Sequence, residues 1–356
     1  MVNQILRNFN INGFRTDLVD WYLANKRMLP WRENQNPYTV WISEIMLQQT
    51  KVDTVIPYFN RFVEKYPTPK DLADADEEEV LKSWEGLGYY SLARNLQSAV
   101  REVVEKYDGK VPANKEELGE LKGVGPYTRG AILSIAFNQP EPAVDGNVMR
   151  VFSRVFLIDD DIAKAKTRTH FEMLVREVIS KEDPSSFNQG IMDLGATICT
   201  PKSPACMLCP VQQYCRAYAV GAENDLPIKT KAKKQKHIAY AALLIKNQAG
   251  DYMIEKRPET GLLANLYQFP MVPLDEVKAE EVEEWFYEKY DLKIQVKEHQ
   301  GKIKHVFSHL IWNIQVYTAD VIDETPKDSN LQFADRAKID SLPFPVPHLK
   351  MMEYLD

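Results

Sequence analysis

All four cysteines of the 356-residue chain fall between Cys199 and Cys215, as Cys199, Cys206, Cys209 and Cys215 in C-x6-C-x2-C-x5-C order. Thiolate sulfur is a soft ligand, and four thiolates on so short a tether can close around an iron-sulfur cube or a tetrahedral zinc. Paired disulfides are disfavoured. The N-terminal MVNQILRNFNINGF has no apolar core of signal-peptide length, and no later segment is long and apolar enough to span a bilayer. The compartment is therefore expected to be reducing. Structural zinc sites usually carry two close Cys/His pairs, whereas here only Cys206 and Cys209 form one, so the spacing favours the cube.

A chain of this length exceeds what one core usually organises, which predicts two domains. A net charge of -7 and a pI near 5.6 argue against indiscriminate binding to polyanions, so any nucleic-acid contact must come from local patches. Much of the imbalance lies in Asp71, Asp74, Asp76, Glu77, Glu78 and Glu79, which read as a solvated helix start where carboxylates favour the dipole.

From about Thr16 to Ala219 apolar residues recur at spacings of three and four, as in Val40, Ile42, Ile45, Met46 and in Ile132, Leu133, Ile135, Ala136. Pro, Gly and Asn punctuate the gaps, which predicts successive amphipathic helices. After Cys215 the composition shifts through Asn224-Asp225-Leu226-Pro227 into a lysine-rich stretch (Lys229, Lys231, Lys233, Lys234, Lys236) that reads as a linker. Beyond it, Ile238 to Ile245, Tyr252 to Glu255 and Ile311 to Tyr317 read as strands and Glu280 to Tyr290 as a helix, a mixed α+β pattern.

Two further constellations carry chemistry. Leu121-Lys122-Gly123-Val124-Gly125 lies between two helical patterns, so its glycines join them in a hairpin. Without Cβ atoms the backbone can approach a phosphate, and amides at the second helix's N-terminus can bind it. Twenty positions past Gly125, Asp145-Gly146-Asn147 opens another helix after the breaker Asn138-Gln139-Pro140-Glu141-Pro142. Alone, Asp145 would be a helix cap. With the hairpin before it and the cysteines after it, it reads as catalytic.

The order of L-x-G-V-G, V-D-G-N-V and the four cysteines resembles the helix-hairpin-helix DNA glycosylases that carry an iron-sulfur cluster. Pro30-Trp31-Arg32, Trp41 through Thr50 and Trp84-Glu85-Gly86-Leu87-Gly88-Tyr89-Tyr90-Ser91 narrow the likeness to adenine DNA glycosylases of the MutY type, essentially end to end. The resemblance implies a mainly α glycosylase domain with the hairpin and a 4Fe-4S cluster loop over 1–224, a lysine-rich linker over 225–236, and an α+β Nudix-like domain over 237–356. It implies excision of adenine opposite 8-oxoguanine or guanine in duplex DNA, by a monomer located in the cytoplasm with the nucleoid and not at a membrane.

Breaking a purine's N-glycosidic bond expels a poor leaving group and builds positive charge on the sugar, so two acids in different protonation states are useful. Glu44 lies among Trp41, Ile42, Ile45, Met46 and Leu47, where desolvation raises a carboxyl's pKa and suits it to protonate adenine N7. Asp145, near backbone donors, is expected to stay ionised and stabilise the sugar cation. Relatives that also nick the strand carry a lysine two residues after the hairpin's last glycine. Here that position is Tyr127, which cannot form an imine, so base removal without efficient strand cleavage is expected. Lys122 is the nearest alternative amine.

By the same resemblance, Tyr127 and Asn147 support the sugar or Asp145, and Arg27, Trp31 and Gln189 surround an adenine turned out of the duplex. Leu121, Gly123, Val124 and Gly125 meet DNA phosphate, as do Lys202 and Arg216 near the cluster loop. Gln49 and Tyr89 wedge into the opened stack, while Thr50, Leu87, Phe307, Ser308 and His309 inspect the opposite base. The acidic Glu280, Glu281, Glu283 and Glu284 run into Trp285-Phe286-Tyr287 and lack the R-E-x2-E-E order of a hydrolytic Nudix box. The competing readings are an endonuclease III-like glycosylase/lyase, a damage binder without catalysis, and a nucleotide hydrolase run by the second domain.

Overall fold

The structure, a computed structural model, describes residues 2–231, 234–322 and 330–355. Of the expected linker lysines, Lys233 lies outside them. The chain forms two compact units, Met1–Ala73 with Ser98–Lys231, and Asp74–Gln97 with Ala232–Asp356.

The first unit is helical. We number the helices that build its site α1 (Ile11–Asn25), α2 (Pro37–Leu47), α3 (Val52–Lys65), α4 (Lys115–Glu120), α5 (Pro126–Phe137), α6 (Gly146–Phe156), α7 (Ala165–Val178) and α8 (Pro184–Thr197). Their starts follow local chemistry. Side chains of Asn10, Asn36, Asn114, Asp145 and Asp183 accept from first-turn amides, and Pro37, Pro126 and Pro184 sit where a helix has no use for the missing N–H. Phe14, Phe152, Phe156, Phe171 and Phe187 belong to one buried core of this unit. The amphipathic expectation for α2 is corrected: every residue from Tyr38 to Met46 is buried, so this helix has no polar stripe and Glu44 is enclosed with the rest.

Two glycines set the spacing around Asp145. A Cβ on Gly130 of α5 would stand 1.8 Å from the Pro142 carbonyl oxygen, and one on Gly195 of α8 would stand 2.7 Å from Asn147 Cβ. The intervening loop is fixed by Glu141, whose carboxylate pairs with Lys115 at 3.0 Å and Arg176 at 2.9 Å and whose carbonyl accepts from Asn188. Residues read as linker are partly tied to this unit: Ile162 N–H donates to the Ile228 carbonyl, and the Thr230 hydroxyl and amide both donate to Asp161. Those donors, with the Ala163 amide, hold the Asp161 carboxyl down at about 2.

The second unit is built on a seven-stranded sheet: β1 (Lys236–Lys246), β2 (Tyr252–Lys256), β3 (Tyr267–Gln268), β4 (Met271–Pro273), β5 (Ile294–Val306), β6 (Leu310–Val321) and β7 (Leu331–Ala334). The order is β3-β2-β1-β6-β5, with β4 on β1 and β7 on β2; β1 and β6 run parallel and the other pairs antiparallel. Helix α9 (Val282–Tyr290) contributes Val282, Phe286 and Tyr290 to one core, while Ile339, Phe344, Met351 and Met352 join another. The acidic run departs from the solvated start read in the sequence. Glu77 accepts from Asn265, and Glu78 accepts from Lys256 and Tyr267, which hold its carboxyl below the usual range against its burial.

Candidate active site

Within the first unit, a cavity of about 420 Å³ gathers Arg27, Trp31, Glu44, Thr50, Tyr127, Asp145, Asn147 and Gln189. Glu44 hangs from the buried helix α2, Tyr127 stands in the first turn of α5, and Asp145 caps α6. The Tyr127 hydroxyl donates to Glu44 Oε2 at 2.6 Å. Burial pushes the Glu44 carboxyl from 4.5 up to about 7; Tyr127's hydrogen bond and the Arg32 charge oppose the rise, and Asp145 adds to it. A carboxyl at that value holds a proton near neutrality and can give it up, as a general acid must. Tyr127 is itself raised well above 10 by burial and by the two carboxyls, so it stays a neutral donor.

Asp145 Oδ1 accepts from the Val148 amide at 2.7 Å, and its Oδ2 accepts from Asn147 Nδ2 at 2.8 Å. Burial outweighs these donors and the Arg150 charge, so the carboxyl lies above its ordinary 3.8 rather than below it. Arg150 continues the chain, donating to Asn147 Oδ1 at 2.8 Å, to the Gly195 carbonyl at 2.7 Å and to the Cys199 carbonyl at 2.8 Å.

On another wall, Arg27 and Arg32 fork onto the buried Asp193. Arg32 also lies over the Tyr22 ring at 5.4 Å. Arg32 lines the cavity and influences Glu44, yet the sequence reading used it only as part of a motif, and it missed Asp193 altogether. Lys51 also lines the cavity, where Lys122 does not. Trp31 both lines it and packs edge-on against Phe59 at 5.3 Å. Gln189 donates to Ser185 at 3.2 Å. Gln49 sits exposed in the turn after α2, outside this cavity.

The hairpin also lies outside it. Leu121 and Val124 are buried, Gly123 takes a left-handed φ of 79° that favours glycine, and Lys122 and Gly125 are exposed. Gly125 caps α5, leaving the helix's early amides at an accessible end.

Cys199, Cys206, Cys209 and Cys215 line one small cavity with Arg154, Gln212 and Glu223. Among the described residues, no group of three or more metal-ligating side chains converges as a single ion requires. Four thiols spread around one cavity suit a polynuclear cluster, each iron taking one sulfur. Burial raises Cys206 and Cys215 and pushes Cys209 up to about 12.

Within the second unit, Leu87, Tyr89, Phe307, Ser308 and His309 share a cavity of about 490 Å³. Tyr89 has a φ of 49°, uncommon for a residue with a side chain, and it directly follows a turn in which Gly86 and Gly88 take φ of 97° and 76°. Its hydroxyl lies 3.0 Å from the Ser308 hydroxyl. Phe307 to Leu310 form the tight turn joining β5 to β6, and the Phe307 ring packs on Trp312 at 4.9 Å.

Comparisons with known proteins agree with this layout. Residues 42–177 match the family described as HhH-GPD superfamily base excision DNA repair protein, a span holding Glu44, the hairpin, Tyr127 and Asp145. Residues 199–215 match the iron-sulfur binding domain of endonuclease III, and 241–354 match a NUDIX domain. Fold and site thus define a helix-hairpin-helix base-excision glycosylase with an iron-sulfur cluster of the 4Fe-4S kind and a Nudix-like second domain. Solved structures of a thermostable thymine-DNA glycosylase (TM-score 0.53, 27% identity, 59% of this chain and 97% of that one) and of a trapped endonuclease III-DNA intermediate (0.50, 28%, 60% and 98%) are similar.

Full-length relatives narrow the class. The adenine DNA glycosylase of Rattus norvegicus is 37% identical over 90% of this chain and 73% of its own. That of Homo sapiens is 35% identical over 89% and 68%, and that of Buchnera aphidicola from Schizaphis graminum 37% over 83% and 84%. The chain belongs to the adenine DNA glycosylase family and is an enzyme of base excision repair.

Proposed function

We propose that this enzyme excises adenine mispaired with 8-oxoguanine or guanine in duplex DNA, hydrolysing the N-glycosidic bond and leaving the strand intact. The observation that carries the reading is that Glu44, Asp145 and Tyr127 line one cavity, with the Tyr127 hydroxyl donating to Glu44. The adenine leaves the stack and enters between Trp31, Arg27 and Gln189. Glu44 gives its proton to adenine N7, the C1′–N9 bond breaks, and Asp145 as carboxylate faces the sugar cation until water adds to C1′ and passes its proton back to Glu44. Free adenine and an abasic site result. Asn147 fixes the Asp145 carboxylate, and Tyr127 remains the neutral donor to Glu44.

The hairpin Leu121, Gly123, Val124 and Gly125 takes phosphate. Gln49 and Tyr89 fill the opened stack, and Thr50, Leu87, Phe307, Ser308 and His309 read the opposite base, Ser308 by hydrogen bonding the N7-H/O8 edge of 8-oxoguanine. Residues 1–224, 225–236 and 237–356 serve as glycosylase domain, linker and recognition domain of a monomer that works with the nucleoid. Among the described residues no helix is long and apolar enough to cross a membrane.

Adenine release from 8-oxoguanine:A, G:A and T:A duplexes tests the reading: fast release from the first and little from the last is expected, and equal release from all three would defeat it. A lyase reading draws on Lys51, the lysine of the cavity wall. Borohydride trapping measures it, and abundant adduct lost in Lys51→Ala would favour that reading.

A further inference from the structure

The cysteine cage carries two opposed charges that the glycosylase reading leaves unused. Arg154 is 1% exposed, an unusual burial for a guanidinium, and it has no carboxylate partner among the described hydrogen bonds. Its Nη1 donates to Cys199 Sγ at 3.2 Å and to the Thr200 carbonyl at 2.8 Å, Nη2 to the Pro201 carbonyl at 3.3 Å, and Nε to the Leu226 carbonyl at 2.9 Å. One side chain thereby gathers the start of the cysteine loop and the chain that leaves it. Glu223 lines the same cavity, and among the described residues its buried Oε2 has no hydrogen-bond partner. An orphaned buried carboxylate oxygen is costly unless a site uses its charge. Val151, Val155, Leu194, Ile198 and Val211 make most of the remaining wall apolar, which limits the screening of either charge.

We propose that Arg154 and Glu223 are opposed positioning charges that set how readily the cage's iron-sulfur cluster takes up an electron, with Arg154 in addition holding the loop that retains it. Uptake of one electron from an outer-sphere donor adds one negative charge to the cluster and neither forms nor breaks a bond. The guanidinium beside Cys199 favours that added charge and the Glu223 carboxylate opposes it. Arg150, which binds the Cys199 carbonyl, adds a fixed positive background common to all the variants below.

The test uses the full-length, cluster-loaded protein as wild type, Glu223→Gln, Arg154→Gln and Arg154→Lys. Midpoint potentials are read at an electrode through soluble mediators, and iron retention under a chelator is followed by visible absorbance. Glu223→Gln is expected to raise the potential and Arg154→Gln to lower it. Arg154→Lys keeps the charge but loses the forked bonds, so it should hold the potential near wild type while losing iron several-fold faster. Shifts of the same sign in the two neutral variants, or none in either, would overturn the proposal. Should Arg154→Gln not fold, Glu223→Gln alone decides: an upward shift supports the proposal, and no shift or a downward one overturns it.

Discussion

The two cavities are of similar size, about 420 and 490 Å³, yet their walls differ in kind. The first presents carboxyls and a phenol displaced from their ordinary proton affinities by burial. The second presents hydroxyls and rings on a tight turn and a tyrosine in a left-handed conformation after Gly88, with Ser308 and His309 exposed. Bond breaking needs proton affinities that water would not allow, whereas discrimination needs donors held at fixed places. On the proposed function, desolvation does the work in the first cavity and backbone geometry in the second.

That contrast can be broken most sharply at Glu44. Glu44→Gln should reduce single-turnover adenine release by on the order of 10³-fold while duplex affinity stays within a few-fold, a gel-shift and quench measurement. Asp145→Asn should cost roughly 10²-fold or more in the same assay, since it removes the charge but keeps the shape. A pH series sharpens the point. Glu44 must be protonated to act, and with its carboxyl at about 7 the chemical step should fall about tenfold per pH unit above that value. Ser308→Ala should leave this limb in place and instead cut the preference for 8-oxoguanine:A over G:A by about fivefold, one hydrogen bond's worth. A moved limb in Ser308→Ala, or an unmoved preference, would erase the distinction between the cavities.

The smallest effect concerns stability. Between the unfolded value of 4.5 and the folded value of about 7, the native chain binds more protons at Glu44 than the unfolded one does. Folding stability from this group is therefore full below 4.5 and lost as pH rises through about 7. Glu44→Gln removes that loss, so its melting temperature at pH 8 should exceed wild type by a few degrees, roughly 1–2 kcal/mol. Calorimetry showing no gain would mean that the carboxyl's burial costs nothing.

The grouping of the candidate site residues around one cavity was legible where its signals are short. Glu44 inside an apolar run, Asp145 after a helix breaker and four closely spaced cysteines need only local sequence. Asp193 does not announce itself, because its partners Arg27 and Arg32 lie 166 and 161 residues away and nothing at position 193 marks it as their anchor. The run around Glu77 and Glu78 misled for the same reason, since Asn265, Lys256 and Tyr267 are equally remote. In the second unit β1, β2 and β6 showed apolar runs. Strand β5 showed none: it is the sheet's edge, it carries Lys297, Glu298, His299, Lys302 and Lys304, and irregular register between Val296 and Gly301 interrupts its alternation.

The missing side chain at position 130 works as a thickness gauge. With only hydrogen there, α5 slides down until it touches the Pro142 carbonyl, and three residues later the chain delivers Asp145 to its post. A single methyl at that point would have to push the strut between hairpin and carboxylate outward by more than an ångström, a displacement that catalytic alignment does not forgive. The distance across which the enzyme works is thus written as an atom it leaves out.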